Sequence, residues 1–412
     1  MMKILKFISL VLLIHISKSQ TVFDLDMYQI AINNVNGPEA IAFSEEGLMY
    51  TANEDGRIIV LSRDGSNPYD FVNTGGRPLG LKFNPQGDLI VADAYNGLLS
   101  INMDGEITVL STEYGGVPFL LTDDLDIASD GMIYFSDASS VYNLENSGDD
   151  WNQANGRLLS YNPITEQTSL LLDSLYFANG VALNHDESFV LVNETWRGHV
   201  RRYWLSGPNE GQTDIFANIY DNIGWVYVDN ITFNDESIFW VATFNGPVIG
   251  LDTLGQIVYQ FNFNNNLLEN NTSVIQYNDT LYLGALHENH MGIIPIPEEI
   301  LSSSQTNKES NLIVLRYQLS QNYPNPFNPL TKIGYHLPRN NLVNITVYDM
   351  LGNVVNHLVN EAQTSGYKSV IWNATNNLGQ PVSAGVYLYN IEAGDFRKTK
   401  KMILLKLSLI HI

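Results

Sequence analysis

The chain of 412 residues contains no cysteine. That removes disulfides, thiolate metal sites and cysteine nucleophiles together. It is also poor in positive charge, with 21 Lys and Arg against 44 Asp and Glu, for a net charge of −23. Such a surface repels phosphate backbones and anionic lipids, so nucleic acid is excluded as a natural partner. Long apolar runs are missing beyond the N-terminus, which argues against a transmembrane anchor. The one apolar stretch, 7–16, follows Lys3 and Lys6 and precedes Ser17-Lys18-Ser19. It has the charge, length and small-x-small end of an export signal over 1–19.

What the chain does contain is a repeat. The segments AIAFSEEGLMYTA, GLKFNPQGDLIVA, DLDIASDGMIYFS, GVALNHDESFVLV, NITFNDESIFWVA and SVIQYNDTLYLGA pair a β-rich run with a polar turn and a second apolar run. Their turns, near Glu46, Gln86, Asp130, Asp186, Asp235 and Asp279, are spaced 40, 44, 56, 49 and 44 residues apart. The widest gap holds an insertion around 146–155. Short strands at such a period, without helical periodicity, are the mark of four-stranded propeller blades. Six copies predict an all-β, six-bladed β-propeller over 20–297.

Equivalent positions in propeller blades meet around one central channel. Eight residues before the turn glycines Gly47, Gly87 and Gly131 stand Glu39, Leu79 and Asp123. Aligning the other copies by their apolar runs adds Asn179, Asp229 and Thr272. Four of these six positions carry a carboxylate or amide oxygen, and Asn230 follows Asp229 as a further donor. Converging carboxylates repel and are costly to desolvate unless something compensates them. Hard oxygen donors without cysteine or histidine favour calcium over magnesium or manganese. The competing reading is local, because Asp and Asn also cap strands and turns; a shared repeat position favours the cation.

Beyond the propeller, 298–315 is a polar linker rich in Ser, Asn, Gln and Glu. After the proline-rich QNYPNPFNP, the alternating segments KIGYHL, NITVYDM, KSVIWNA and GVYLYNI predict a small C-terminal β-sandwich over 316–406, with a tail at 407–412.

The run LLDSLYFANGVALNHDESFVLVNETWRGHVRRYWLSGP, with GGRPLGLKFNPQGDLIVADAYNGLLSI and YFSDASSVY, resembles the strictosidine synthase-like family. The nearest likeness within it is to adipocyte plasma membrane-associated protein. The wider superfamily, with paraoxonases and gluconolactonases, implies a six-bladed propeller with a divalent cation in its channel. The resemblance implies Glu39, Asn179, Asp229 and Asn230 as metal ligands, with Asp123 departing from the paraoxonase-like pattern by adding a negative charge. Asp124 is then a second candidate catalytic residue beside Asp229. Leu79 stands where paraoxonase-like lactonases carry a histidine, and Thr272 or a neighbour replaces the glutamate of strictosidine synthase. The alkaloid-forming condensation is therefore not expected. The reading that remains is metal-assisted hydrolysis of a small-molecule lactone or aryl ester, with Asp229 or Asp124 helping to activate water. A non-catalytic, metal-stabilised propeller that binds a ligand or surface partner is the alternative. Arg77 and Trp225 are candidates for the channel mouth, with an exposed Arg and a packed Trp the favoured simpler assignments, and His287 and His290 are expected as ordinary loop residues.

The C-terminal motifs YPNPFNP, VYDMLGNVV, GVYLYNI and KTKKMILLK resemble the type IX secretion sorting domain. That resemblance implies handling by the type IX machinery and a secreted or cell-surface destination.

Overall fold

A computed structural model describes residues 20–25, 29–33, 35–146, 152–234, 237–244, 246–263, 271–297, 300, 317–319, 322, 325–337, 341–364, 366–394 and 396–405. The expected leader at 1–19, nearly all of the linker at 298–315 and the tail at 407–412 lie outside the described residues. So do 147–151 of the expected insertion and Tyr323 and Pro324 of the proline-rich motif.

Each repeat copy forms the first two strands of an antiparallel sheet, and the chain lays these sheets down one after another. The inner strands are Ile41–Phe43, Pro78–Phe83, Thr122–Ile127, Ala178–Leu183, Tyr227–Phe233 and Asn271–Tyr277. Their partners are Met49–Ala52, Leu89–Asp93, Ile133–Asp137, Phe189–Glu194, Phe239–Phe244 and Thr280–Ala285. Both strands of each pair are apolar because each sheet is covered on both faces by its neighbours. The inner strands touch in a closed cycle, the last against the first.

Two features of this ring were not anticipated from the repeats. Gln29–Asn33, from the N-terminus, pairs antiparallel with His290–Pro295 and completes the last sheet. Thr21–Leu25 adds a parallel fifth strand to the preceding sheet, beside Ile257–Phe263. The N-terminal segment thus fastens the two sheets that end the repeat array and removes an open edge.

The inner strands also break register where they begin. Pairing shifts between Pro78 and Gly80, Thr122 and Leu125, Ala178 and Val181, Val228 and Ile231, and Asn271 and Ser273. These bulges hold Leu79, Asp123, Asn179, Asp229 and Thr272, the residues aligned from the repeat. A bulge re-aims side chains that strict alternation would send to the neighbouring sheets. It also packs backbone closely: a Cβ on Gly180 would lie 2.4 Å from the Ile231 nitrogen, so only glycine fits there.

In the C-terminal module, Thr331–Leu337 pairs with Gly366–Trp372, and Asn341–Tyr348 lies between Val354–Gln363 and Gly385–Ala393, which pairs in turn with Phe396–Leu404. All four alternating segments read from the sequence are strands. The two sheets share one core that includes Ile333, Tyr335, Ile345, Trp372, Tyr389 and Met402. Phe327 of the proline-rich motif is buried in it.

Candidate functional site

A cavity of about 340 Å³ opens where the inner strands begin and their partners end. Its walls include Leu79, Leu121, Phe177, Trp196, Tyr227 and Phe244, and the oxygen-bearing residues Glu39, Asp123, Asn179 and Asp229 line the same space. The repeat register therefore brings four of the expected ligands to one cavity. Asn230 is buried one residue beyond Asp229 but is not among the lining residues. Asp124 is not among them either. Its Oδ2 accepts the Val181 N–H at 2.9 Å, tying together two adjacent inner strands.

These groups lack ordinary partners. Glu39 Oε2, Asp123 Oδ1, Asn179 Oδ1, Asp229 Oδ1, Asn230 Oδ1 and Thr272 Oγ1 are all buried without a hydrogen bond. Each such atom costs roughly 1–3 kcal/mol if nothing satisfies it. Burial raises the Asp123 carboxyl well above the usual carboxylate range, and Glu39 and Asp229 raise it further. Burial likewise raises Asp229, helped by the Glu39 charge and opposed by a hydrogen bond from Asn179. Glu39 is pushed up to about 7 by burial, which outweighs the Arg77 guanidinium 3.6 Å away. Asp124 also rises to about 7, again through burial. These carboxyls feel one another's charge, yet no three His, Asp or Glu side chains among the described residues are gathered into a ready-made cation site.

Arg77 is not a mouth residue. It is buried, and its guanidinium donates to the carbonyls of Gly37 (3.0 Å) and Leu286 (3.2 Å) besides facing Glu39. Trp225 is 59% exposed and packs edge-on to Tyr227, a wall residue, at 5.6 Å. His290 departs from the expectation of a loop residue, being buried at the start of a strand, whereas His287 is an exposed residue of the 286–289 loop and also lines the cavity. Thr195 and Trp196 line it too, and both keep a buried polar atom without a partner. A signal for His287 and Trp196 was present. Each stands two residues past the end of its sheet's second strand, after Ala285 and Glu194.

Comparison with known proteins supports both resemblances. The strictosidine synthase family model matches residues 123–208, and the N-terminal strictosidine synthase-like model matches 25–61. The secretion system C-terminal sorting domain model matches 321–405. Protein strictosidine synthase-like 6 of Arabidopsis thaliana is 39% identical over 225 residues, covering 53% of this chain and 59% of that protein. Adipocyte plasma membrane-associated protein of Rattus norvegicus is 36% identical over 232 residues, covering 51% and 59% respectively. The chain thus spans about 59% of the length of these curated relatives. Among solved structures, a gluconolactonase from Xanthomonas campestris aligns with a TM-score of 0.55 at 16% identity, covering 66% of this chain and 89% of that one. A calcium-binding regucalcin from Agrobacterium tumefaciens aligns with a TM-score of 0.55 at 14% identity, covering 67% and 95%. At these identities the likeness shows the propeller fold alone. The sorting domain marks the chain for export or the cell surface, and no helix among the described residues is long and apolar enough to cross a membrane.

Proposed function

We propose that the chain is an exported hydrolase of neutral lactones or aryl esters, working in the channel of a six-bladed propeller whose blades are the six sheets of the closed ring. The two C-terminal sheets are read as a β-sandwich sorting module. The observation that carries the reading is a floor of unsatisfied buried oxygens beneath a wall of Leu, Phe, Trp and Tyr. Apolar walls favour a substrate with an apolar body. The convergent oxygens suit a divalent cation, with calcium favoured by the all-oxygen donor set.

Glu39, Asp123, Asn179 and Asp229 would hold the ion, with Asn230 beside them. When bound, a divalent cation supplies Lewis-acid polarisation of a carbonyl oxygen. The chain's own residues do the rest. Leu79, Phe177 and Phe244 keep bulk water off the substrate body, and the Asn179 side chain lowers the Asp229 carboxyl against the burial that raises it. Asp229 is the lining carboxylate offered as water-orienting base. Asp124, bonded to Val181, acts instead through the strand pairing that sets the floor.

The test is the melting temperature and phenyl acetate or γ-lactone hydrolysis of the full chain, with calcium and after chelation. Calcium should raise the melting temperature and support turnover, and Asp229→Asn should abolish both responses while leaving a folded protein. Calcium-dependent melting without turnover would replace the hydrolase reading by a ligand-binding propeller. No response to any divalent ion would sink the cation site.

A further inference from the structure

Resting on the reading of the cavity as the site of a small neutral substrate, we infer that Thr195 and Trp196 form its polar anchor, donating their hydroxyl and indole hydrogens to an acceptor oxygen of that ligand. The unsatisfied atoms of the cavity divide by polarity. Among the described residues lining it, Glu39, Asp123, Asn179 and Asp229 each keep a buried oxygen without a hydrogen bond, and Thr195 Oγ1 and Trp196 Nε1 are buried without one too. Carboxylate and amide oxygens accept, whereas an indole nitrogen only donates and a hydroxyl does either. A cation at the floor would satisfy the first group and leave the second as it was. The indole needs an acceptor, and none of the chain's own reaches it.

Local structure fixes the two donors. They occupy the 3₁₀ turn Thr195–Arg197, which follows Glu194, an acid anchored by the Tyr176 N–H and Arg201. The Thr195 N–H donates to the Phe177 carbonyl at 3.1 Å, and Gly198, left-handed at φ 59°, closes the turn while its carbonyl accepts the Ile219 N–H at 2.9 Å. The Trp196 ring packs against a cluster containing Leu79, Leu121 and Phe177 and meets Tyr227 edge-on at 4.9 Å and 76°. A ring gripped on two sides holds its N–H in one direction. Phenylalanine would build the same apolar wall without burying a donor, so the indole nitrogen is kept at a cost to stability.

The chemistry recognised is a small apolar body carrying a neutral carbonyl-type oxygen, packed on the apolar walls and hydrogen-bonded where the turn meets it. A ligand of the same shape without that oxygen leaves both donors buried and empty, and is rejected for it. Thr195 and Trp196 are positioning residues. They hold the ligand alike before and during reaction, so their loss raises KM and spares kcat.

The probes are acetophenone, which carries the oxygen, and ethylbenzene, which has nearly the same shape without it. Their binding to the full-length protein, to Thr195→Val and to Trp196→Phe is measured by calorimetry after chelation, so that no cation competes for the oxygen. The wild type should bind acetophenone more tightly by about tenfold. Trp196→Phe should lose most of that preference and Thr195→Val part of it, with no fall in the Thr195→Val melting temperature. With calcium present, each substitution should raise KM for phenyl acetate about three- to tenfold and change kcat little. No preference for acetophenone in the wild type, or a preference that survives in both variants, overturns the anchor, while phenyl acetate turnover would keep the hydrolase reading. A lost preference together with a lower Thr195→Val melting temperature overturns the anchor in favour of a structural role. A preference that depends on both residues, with no wild-type turnover of phenyl acetate, upholds the anchor and overturns hydrolysis alone.

Discussion

Two sets of buried acids stand within one ring of sheets and are treated in opposite ways. Asp93, Asp137 and Glu194 end the second strands of three successive sheets. Asp93 accepts the N–H groups of Arg77, Tyr95 and Asn96 and the Thr74 hydroxyl. Asp137 accepts the N–H groups of Leu120 and Leu121 and two nitrogens of Arg157. Glu194 accepts the Tyr176 N–H and pairs with Arg201. Glu39, Asp123 and Asp229 are nearly as buried, yet each keeps an oxygen without a hydrogen bond, the one on Glu39 facing Arg77 only at 3.6 Å. Saturated acids latch the loop before an inner strand onto the end of the next strand. Unsaturated ones, gathered at one cavity, are kept in spite of their cost to stability, which is the usual mark of a site that binds something.

The contrast predicts unequal effects of mutation. The largest should come from Asp137→Ala, which strands the buried Arg157 guanidinium and two backbone N–H groups. Loss of one partner from a buried pair typically costs about 3–5 kcal/mol, read as a lower denaturation midpoint. A near-neutral result would erase the distinction between the two sets.

The second effect is a pH dependence set by buried carboxyls, Glu39 of the unsaturated set and the hydrogen-bonded Asp124. Burial raises Glu39 from 4.5 to about 7 and Asp124 from 3.8 to about 7. The folded chain therefore holds protons that the unfolded chain has released between these values. Stability from these groups is present in full below about pH 4 and is lost as the pH rises through about 7. Without divalent cations, unfolding free energy should fall as the pH rises from about 5 to about 7, and Glu39→Gln should remove on the order of 3 kcal/mol of that total fall. An unchanged slope in that variant would show that Glu39 is not held protonated.

Arg57, paired with Asp55 and Asp70 at 2.8 and 2.9 Å at the solvent-facing start of its strand, is the control. Its replacement by alanine should cost less than about 1 kcal/mol, because water and salt screen such pairs. A larger loss would mean that geometry, not burial, separates the strong acid pairs from the weak ones.

Much of this was legible in the order of residues. Turn chemistry and alternation are local, so the six repeat copies, the C-terminal strands and the register that aligns Glu39, Asp123, Asn179 and Asp229 could all be counted along the chain. Cavity membership could not be counted in the same way. The bulges separate Asp123 from Asp124, because which of two adjacent acids faces the cavity depends on where pairing with the next strand slips. Arg77 looked like a rim cation because its acceptors lie far away in sequence, at Gly37 and Leu286. That the loop bearing His287 reaches the cavity was hidden because its anchors, Gly37 and Arg77, lie far away in sequence. The closing N-terminal strands were hidden for the same reason. Periodicity records which way a side chain points on its own strand, whereas partners hundreds of residues apart meet only when the ring closes and burial puts a cost on every polar atom left unmatched.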